Sequence, residues 1–163
     1  MELNMQQLRR HLLIVVSLLC FGSLAVALVS QHVFGMPPCA WCILQRFIYL
    51  VIGIVALIGW FLPSAWSRFG AVIVSIISIG GAVAAWHQHA VASQILTCSF
   101  TFADRFISDY GLDTAAPWLF GVYATCADAA VEVLGVEYAV GSLVMFAIIF
   151  ILSLGSAIFK RKG

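Results

Sequence analysis

Charge is what this sequence has least of. Asp, Glu, Lys and Arg make up 9% of its 163 residues and hydrophobic residues 63%, whereas a soluble domain averages about 25% charged and about 45–50% apolar. With a mean hydropathy of +1.08, that scarcity excludes a soluble globular protein and points to a membrane protein. Other absences narrow the reading. The chain has no internal repeat and no low-complexity tract, and its apolar runs leave no room for a separate soluble domain. It has no nucleotide fingerprint, no haem-attaching Cys-x-x-Cys-His (Ile43 follows Cys42) and no evident metal cluster. Any redox chemistry must therefore use the cysteines and an acceptor from outside the chain.

What is present is long and apolar. Spanning a bilayer takes about 20 mostly apolar residues, and four stretches qualify: about 12–29, 43–62, 69–92 and 138–159. The fold expected is an all-α four-helix transmembrane bundle forming a single domain, residues 1–163. A short turn over Pro63, Ser64 and Trp66–Arg68 joins the second and third helices. The loops on the other side run over about 30–42 and 93–137. Arg9, Arg10, Arg68, Lys160, Arg161 and Lys162 all fall on the side of the termini, which places both termini in the cytoplasm. The acids Asp104, Asp109, Asp113, Asp128, Glu132 and Glu137 fall in the long outer loop. Arg9-Arg10, an apolar run and "AVA" at 25–27 also fit a cleaved signal peptide, although the run is long for one.

Cys20 sits mid-helix and reads as a small buried apolar side chain. The other four cysteines fall on the outer, disulfide-permissive side, and the pairs expected are Cys39–Cys42 and Cys98–Cys126. As a staple, Cys98–Cys126 would be worth about 3.5 kcal/mol, whereas a Cys-x-x-Cys ring gains little entropy. A zinc site wants two close pairs, and the second pair here is widely spaced. Redox chemistry, for which Cys-x-x-Cys is a recurrent motif, fits best. Pro37 and Pro38 end the preceding segment, so Cys42 falls on a first helical turn, where unpaired N–H groups and the helix dipole favour a thiolate.

Arg46, one turn further on, shares that face and reads either as a snorkelling anchor or as a cation beside thiolate and ligand. A quinone suits a thiol at a membrane face, with Arg46 donating to its carbonyls. "AAWHQHA" adds His87 and His89 near the outer end of helix three, able to hydrogen-bond or to move protons. "SIISIGGAVAA" reads as close helix packing. In the long loop, "FTFADRFISDYG" predicts a short helix stopped at Gly111, and "APWLFGVYA" predicts an interfacial segment.

These residues together resemble the DsbB family of bacterial inner-membrane proteins, which reoxidise the periplasmic disulfide donor DsbA. The resemblance lies in "QHV" (31–33) ahead of "PC" (38–39), Cys39-x-x-Cys42-x-x-x-Arg46, Cys98 and Cys126 in the second outer loop, and "CAD" (126–128) leading to "LGVE" (134–137). It implies that a reduced thioredoxin-fold partner attacks Cys98 and that Cys126 passes electrons to Cys39. Cys42 would then reduce ubiquinone or menaquinone, with Arg46 and His87 or His89 assisting. Gln45 stands where a well-known member has Glu. The DsbA potential near −120 mV lies about 180 mV above ordinary structural disulfides, roughly 8 kcal/mol uphill. Cys98–Cys126 is therefore expected to be strained and exposed, or pulled forward by the quinone step. Vitamin K epoxide reductases also have four helices and two cysteine pairs, but in the opposite chain order. The other reading is a structural or binding tetraspan whose outer disulfides only stabilise it.

Overall fold

The computed structural model describes residues 2–92, 101–133 and 135–158. Cys98 and the basic residues 160–162 lie outside these. Among the described residues nine elements follow in order: α1 (Glu2–His32), α2 (Ala40–Phe61), α3 (Ser64–Ala90), α4 (Phe102–Asp109), α5 (Leu112–Ala115), α6 (Pro117–Phe120), β1 (Glu132–Val133), β2 (Val136–Glu137) and α7 (Tyr138–Ile158). The helices α1, α2, α3 and α7 are each long and apolar enough to cross a membrane, and the chain is a multi-pass membrane protein.

Helix bounds depart from the hydropathy windows for a physical reason. Hydropathy marks the apolar span, whereas the helix continues through polar residues that are good helix formers. So α1 begins ten residues before the apolar run and ends at His32, and the first loop of the cysteine end shrinks to 33–39. At the opposite end the turn is only Leu62–Pro63: Pro63 caps α3, and Trp66–Arg68 already lie in that helix. Gly111, at φ +62°, ends the α4 segment as expected. The short β1–β2 pairing, Glu132 opposite Glu137, has no periodic signal at two residues per strand.

Between membrane helices apolar surface gives little drive to associate, so close packing and hydrogen bonds hold the bundle. Ser17 Oγ donates to the Gly53 carbonyl at 3.0 Å, and Ser75 and Ser153 share a hydroxyl bond at 2.8 Å. Each such bond is worth about 0.6 kcal/mol. Phe146 is wholly buried, stacked on Tyr49 with centroids 4.2 Å apart. Its ring lies so close to Gly81 that a Cβ there would overlap it. Cys20 is buried in this core among Leu13, Val16 and Ile52. At the opposite end Arg9 and Arg68 donate to the Ser156 and Ala157 carbonyls, holding the last turn of α7.

A second core sits at the cysteine end. Cys39, Trp41, Ile43, Ile107, Phe120 and Cys126 are among its buried members. The Pro38 carbonyl accepts N–H bonds from Tyr123 (3.0 Å) and Ala124 (3.2 Å), which seats the long loop on the first one.

Candidate functional site

Because Pro37 and Pro38 keep the chain extended, α2 starts abruptly, with Cys39 as its N-cap in the β region. The Cys39 sulfur accepts the Cys42 N–H at 3.4 Å, taking the place that a Ser or Asp oxygen fills at other N-caps. The two sulfurs lie 3.1 Å apart as thiols. The sequence predicts that these two cysteines pair, and the structure sets them side by side in the dithiol state: at 3.1 Å the contact is an S–H···S hydrogen bond, longer than the about 2.05 Å of a disulfide. Cys39 is fully buried and Cys42 half-buried. The S–H bond to Cys42, and then burial, hold the Cys39 thiol well above the ordinary cysteine range. Cys126 is disulfide-bonded, and Cys98, its expected partner, lies outside the described residues.

Cys42 opens on a cavity of about 260 Å³ between α1, α2 and α7. Arg46, Tyr49, Gln45, Glu137 and Tyr138 share its lining, with Ala27, Pro38 and Gly141 among the small or apolar residues. Arg46 is buried yet well satisfied. Its Nη1 donates to Gln31 Oε1 (2.6 Å) and to the Leu119 carbonyl (3.1 Å), and its Nη2 donates to the Ala27 carbonyl (3.1 Å). A guanidinium has five N–H donors, so these three bonds leave donors over for a ligand oxygen. Arg46 is thus a fixed cation in the cavity wall and not a side chain snorkelling to water.

The histidines take different places from Arg46. His87 stacks on Trp41 with ring centroids 4.4 Å apart, and its buried Nδ1 has no hydrogen-bond partner among the described residues. His89 Nδ1 lies 2.6 Å from Glu137 Oε2. Neither ring lines the cavity, although Glu137 does. Successive helical residues turn by about 100°, so when Gln88 faces Cys42 its two neighbours are swung to either side. Gln88 is the residue that reaches the sulfur: its Nε2 donates to Cys42 Sγ at 3.2 Å. Gln45 Nε2 in turn donates to Gln88 Oε1 at 2.6 Å, and both amides are buried. Sequence reasoning passed over Gln88, Glu137 and Tyr49. For Gln88 and Tyr49 the available signal was a polar side chain at membrane depth on a helix. Among the described residues no group of three or more metal-ligating side chains comes together.

The arrangement is thus a dithiol at a helix N-terminus, beside a fixed cation and a mostly apolar cavity. Comparison with known proteins gives the same direction. The family model described as "Disulfide bond formation protein DsbB" matches residues 9–155. The chain is similar to a "Disulfide bond formation protein B 1" of Pseudomonas entomophila, 32% identical with 94% of each chain covered. It is similar also to a "Disulfide bond formation protein B" of Herminiimonas arsenicoxydans, 29% identical over 94% of this chain and 98% of that one. A further "Disulfide bond formation protein B 1", from Pseudomonas putida, is 32% identical over 88% of this chain and 86% of its own. No solved structure matches.

Proposed function

The chain belongs to the DsbB family of disulfide bond formation proteins, and from that premise we propose that it is a quinone-dependent thiol oxidase of the bacterial inner membrane. Its termini face the cytoplasm and Cys39, Cys42 and the long loop face the periplasm, as the basic residues at the other end favour. Its donor is a reduced, DsbA-like thioredoxin-fold protein. The observation that carries the reading is the half-buried Cys42, which faces both the Cys39 sulfur and a cavity walled by Arg46.

Electrons enter by thiol–disulfide exchange. The donor dithiol attacks the Cys98–Cys126 disulfide at Cys98 and leaves as a disulfide, with both loop sulfurs reduced. That dithiol then reduces Cys39–Cys42 through a mixed disulfide between Cys126 and Cys39. Cys39 and Cys42 close again as two electrons and two protons leave. A quinone, ubiquinone or menaquinone, supplies a two-electron, two-proton acceptor when bound in the cavity. The cavity suits it: the lining is largely apolar, Arg46 offers donors to a carbonyl, and Glu137 Oε1 is buried with no partner among the described residues. Arg46 orients the ring oxygen and favours negative charge on it. Glu137 is held at the cavity edge by its contact with His89 Nδ1, which gives His89 an indirect part. His87 steadies Trp41, which lies between the two cysteines in the chain.

The test is quinone absorbance, followed with a soluble quinone and a reduced thioredoxin-fold donor, for wild type and Cys42→Ser. Loss of absorbance that requires Cys42 is the expected result. No loss with any thiol donor, in folded protein, would leave a tetraspan stabilised by disulfides.

A further inference from the structure

Two buried side-chain amides end on the reactive sulfur. Gln45 Nε2 donates to Gln88 Oε1 and Gln88 Nε2 donates to Cys42 Sγ, at 2.6 and 3.2 Å. Gln88 sits on α3 and Gln45 on α2, so the chain of amides crosses the helix interface. An amide has a donor end and an acceptor end, and here the first fixes the second. With Gln45 presenting N–H, Gln88 must turn Oε1 towards it, and its own N–H is then aimed at the sulfur. Reversing Gln88 alone would set two NH₂ groups face to face, so the two amides turn together or not at all.

We propose that Gln88 is a catalytic residue that stabilises the Cys42 thiolate by donating to it, and that Gln45 is the positioning residue that keeps its donor pointed there. The inference rests on the thiol-oxidase reading. The ionisable groups around Cys42 are Cys39, Arg46 and Tyr49 on its own side, Glu137 and Tyr138 across the cavity, and on α3 His87, which stacks on Trp41. α1 contributes only neutral residues to that wall, Ser23 and Ser30 being its polar ones. The sulfur thus collects an S–H from Cys39 and an N–H from Gln88, with the Arg46 cation a turn deeper. Hydrogen bonds to a charged atom are the strong ones, and burial raises what is lost when one is missing. Two neutral amides favour the thiolate without adding a carboxylate, whose charge would oppose it and compete for Arg46.

The experiment is alkylation of the fully reduced full-length protein in detergent, with Cys42 read separately by peptide mass across pH 5–9. In Gln88→Leu the Cys42 rate at pH 7 should fall about tenfold, equivalent to about 1.4 kcal/mol, and should recover as pH rises. Gln45→Glu should also slow it, because a carboxylate accepts from Gln88 Nε2 and turns Oε1 to the sulfur. If that effect runs through Gln88, Gln45→Glu adds nothing in the Gln88→Leu background, whereas plain charge repulsion would add in full. An unchanged pH profile in folded Gln88→Leu, or full additivity, overturns the proposal. Should Gln88→Leu not fold, the isosteric Gln88→Glu carries the same test: a carboxylate cannot donate to the sulfur, so the Cys42 rate at pH 7 should fall and recover as pH rises, and an unchanged profile overturns the proposal. The readout needs neither quinone nor donor protein. The alkylation pattern without quinone reduction would keep the amide chain and sink the oxidase reading.

Discussion

Cys39 is asked to do two things that usually fall to different residues: it caps a helix through its sulfur and it stands ready to bond the next cysteine on that helix. Its thiol is held above the ordinary range, by the bond to Cys42 first and burial second. A raised value means that the folded protein favours the neutral form of Cys39. Its contribution to stability is complete below about pH 8.5, where an unfolded cysteine titrates, and is lost as pH climbs beyond that. The reduced wild type should therefore lose melting temperature relative to Cys39→Ser above about pH 8.5. Serine keeps the cap but does not titrate; parallel curves for the two proteins would contradict the assignment. Arg46 makes a second case at this scale. Lysine keeps the charge but cannot reach Gln31, Leu119 and Ala27 at once. Arg46→Lys should cost about 1–3 kcal/mol through acceptors left unpaired and, in the proposed oxidase, raise the KM for quinone more than it lowers kcat. Thermal melts and steady-state kinetics check the two parts.

At the scale of elements, the boundary between what could be read and what could not is set by rotation. The four membrane helices follow from length and hydropathy, and Cys39, Cys42 and Arg46 fall together because all three lie at known spacing on one helix. Helix-to-helix facing is not encoded that way. In "HQH" any of three residues could point at Cys42, and only the packing of α3 against α2 selects Gln88 over His87 and His89. Glu137 was visible as one acid among six in a loop, and its place in the cavity wall follows from the β1–β2 turn that precedes α7. The small residues of α3 were read as packing, and Gly81 against Phe146 is that contact. Gly81→Ala should destabilise by about 1–3 kcal/mol through overpacking, and Phe146→Leu should rescue part of the loss. A melt of the double variant no better than the sum of the singles would place the strain elsewhere.

For the molecule as a whole, the two ends differ in chemistry. One end is tied by Arg9 and Arg68 to the last turn of α7; the other holds the cysteines under a long loop. The proposed orientation is testable without any activity. In a cysteine-free background, Phe34→Cys and Trp66→Cys, both at exposed positions, lie at opposite ends of the bundle. An impermeant maleimide should label the first in intact spheroplasts and the second only after permeabilisation; the reverse pattern would invert the topology. The carbonyl of Pro38, which holds Tyr123 and Ala124, has a kinetic side as well. Cys126 follows Ala124 by two residues and shares a buried cluster with Cys39. Two thiol partners on one tethered scaffold meet at an effective concentration set by the tether, on the order of millimolar even for a flexible linker. In the proposed exchange, Cys126 therefore meets Cys39 at a frequency that does not depend on how many copies of the protein the membrane holds. Only the arrival of the donor and of the acceptor remains subject to supply.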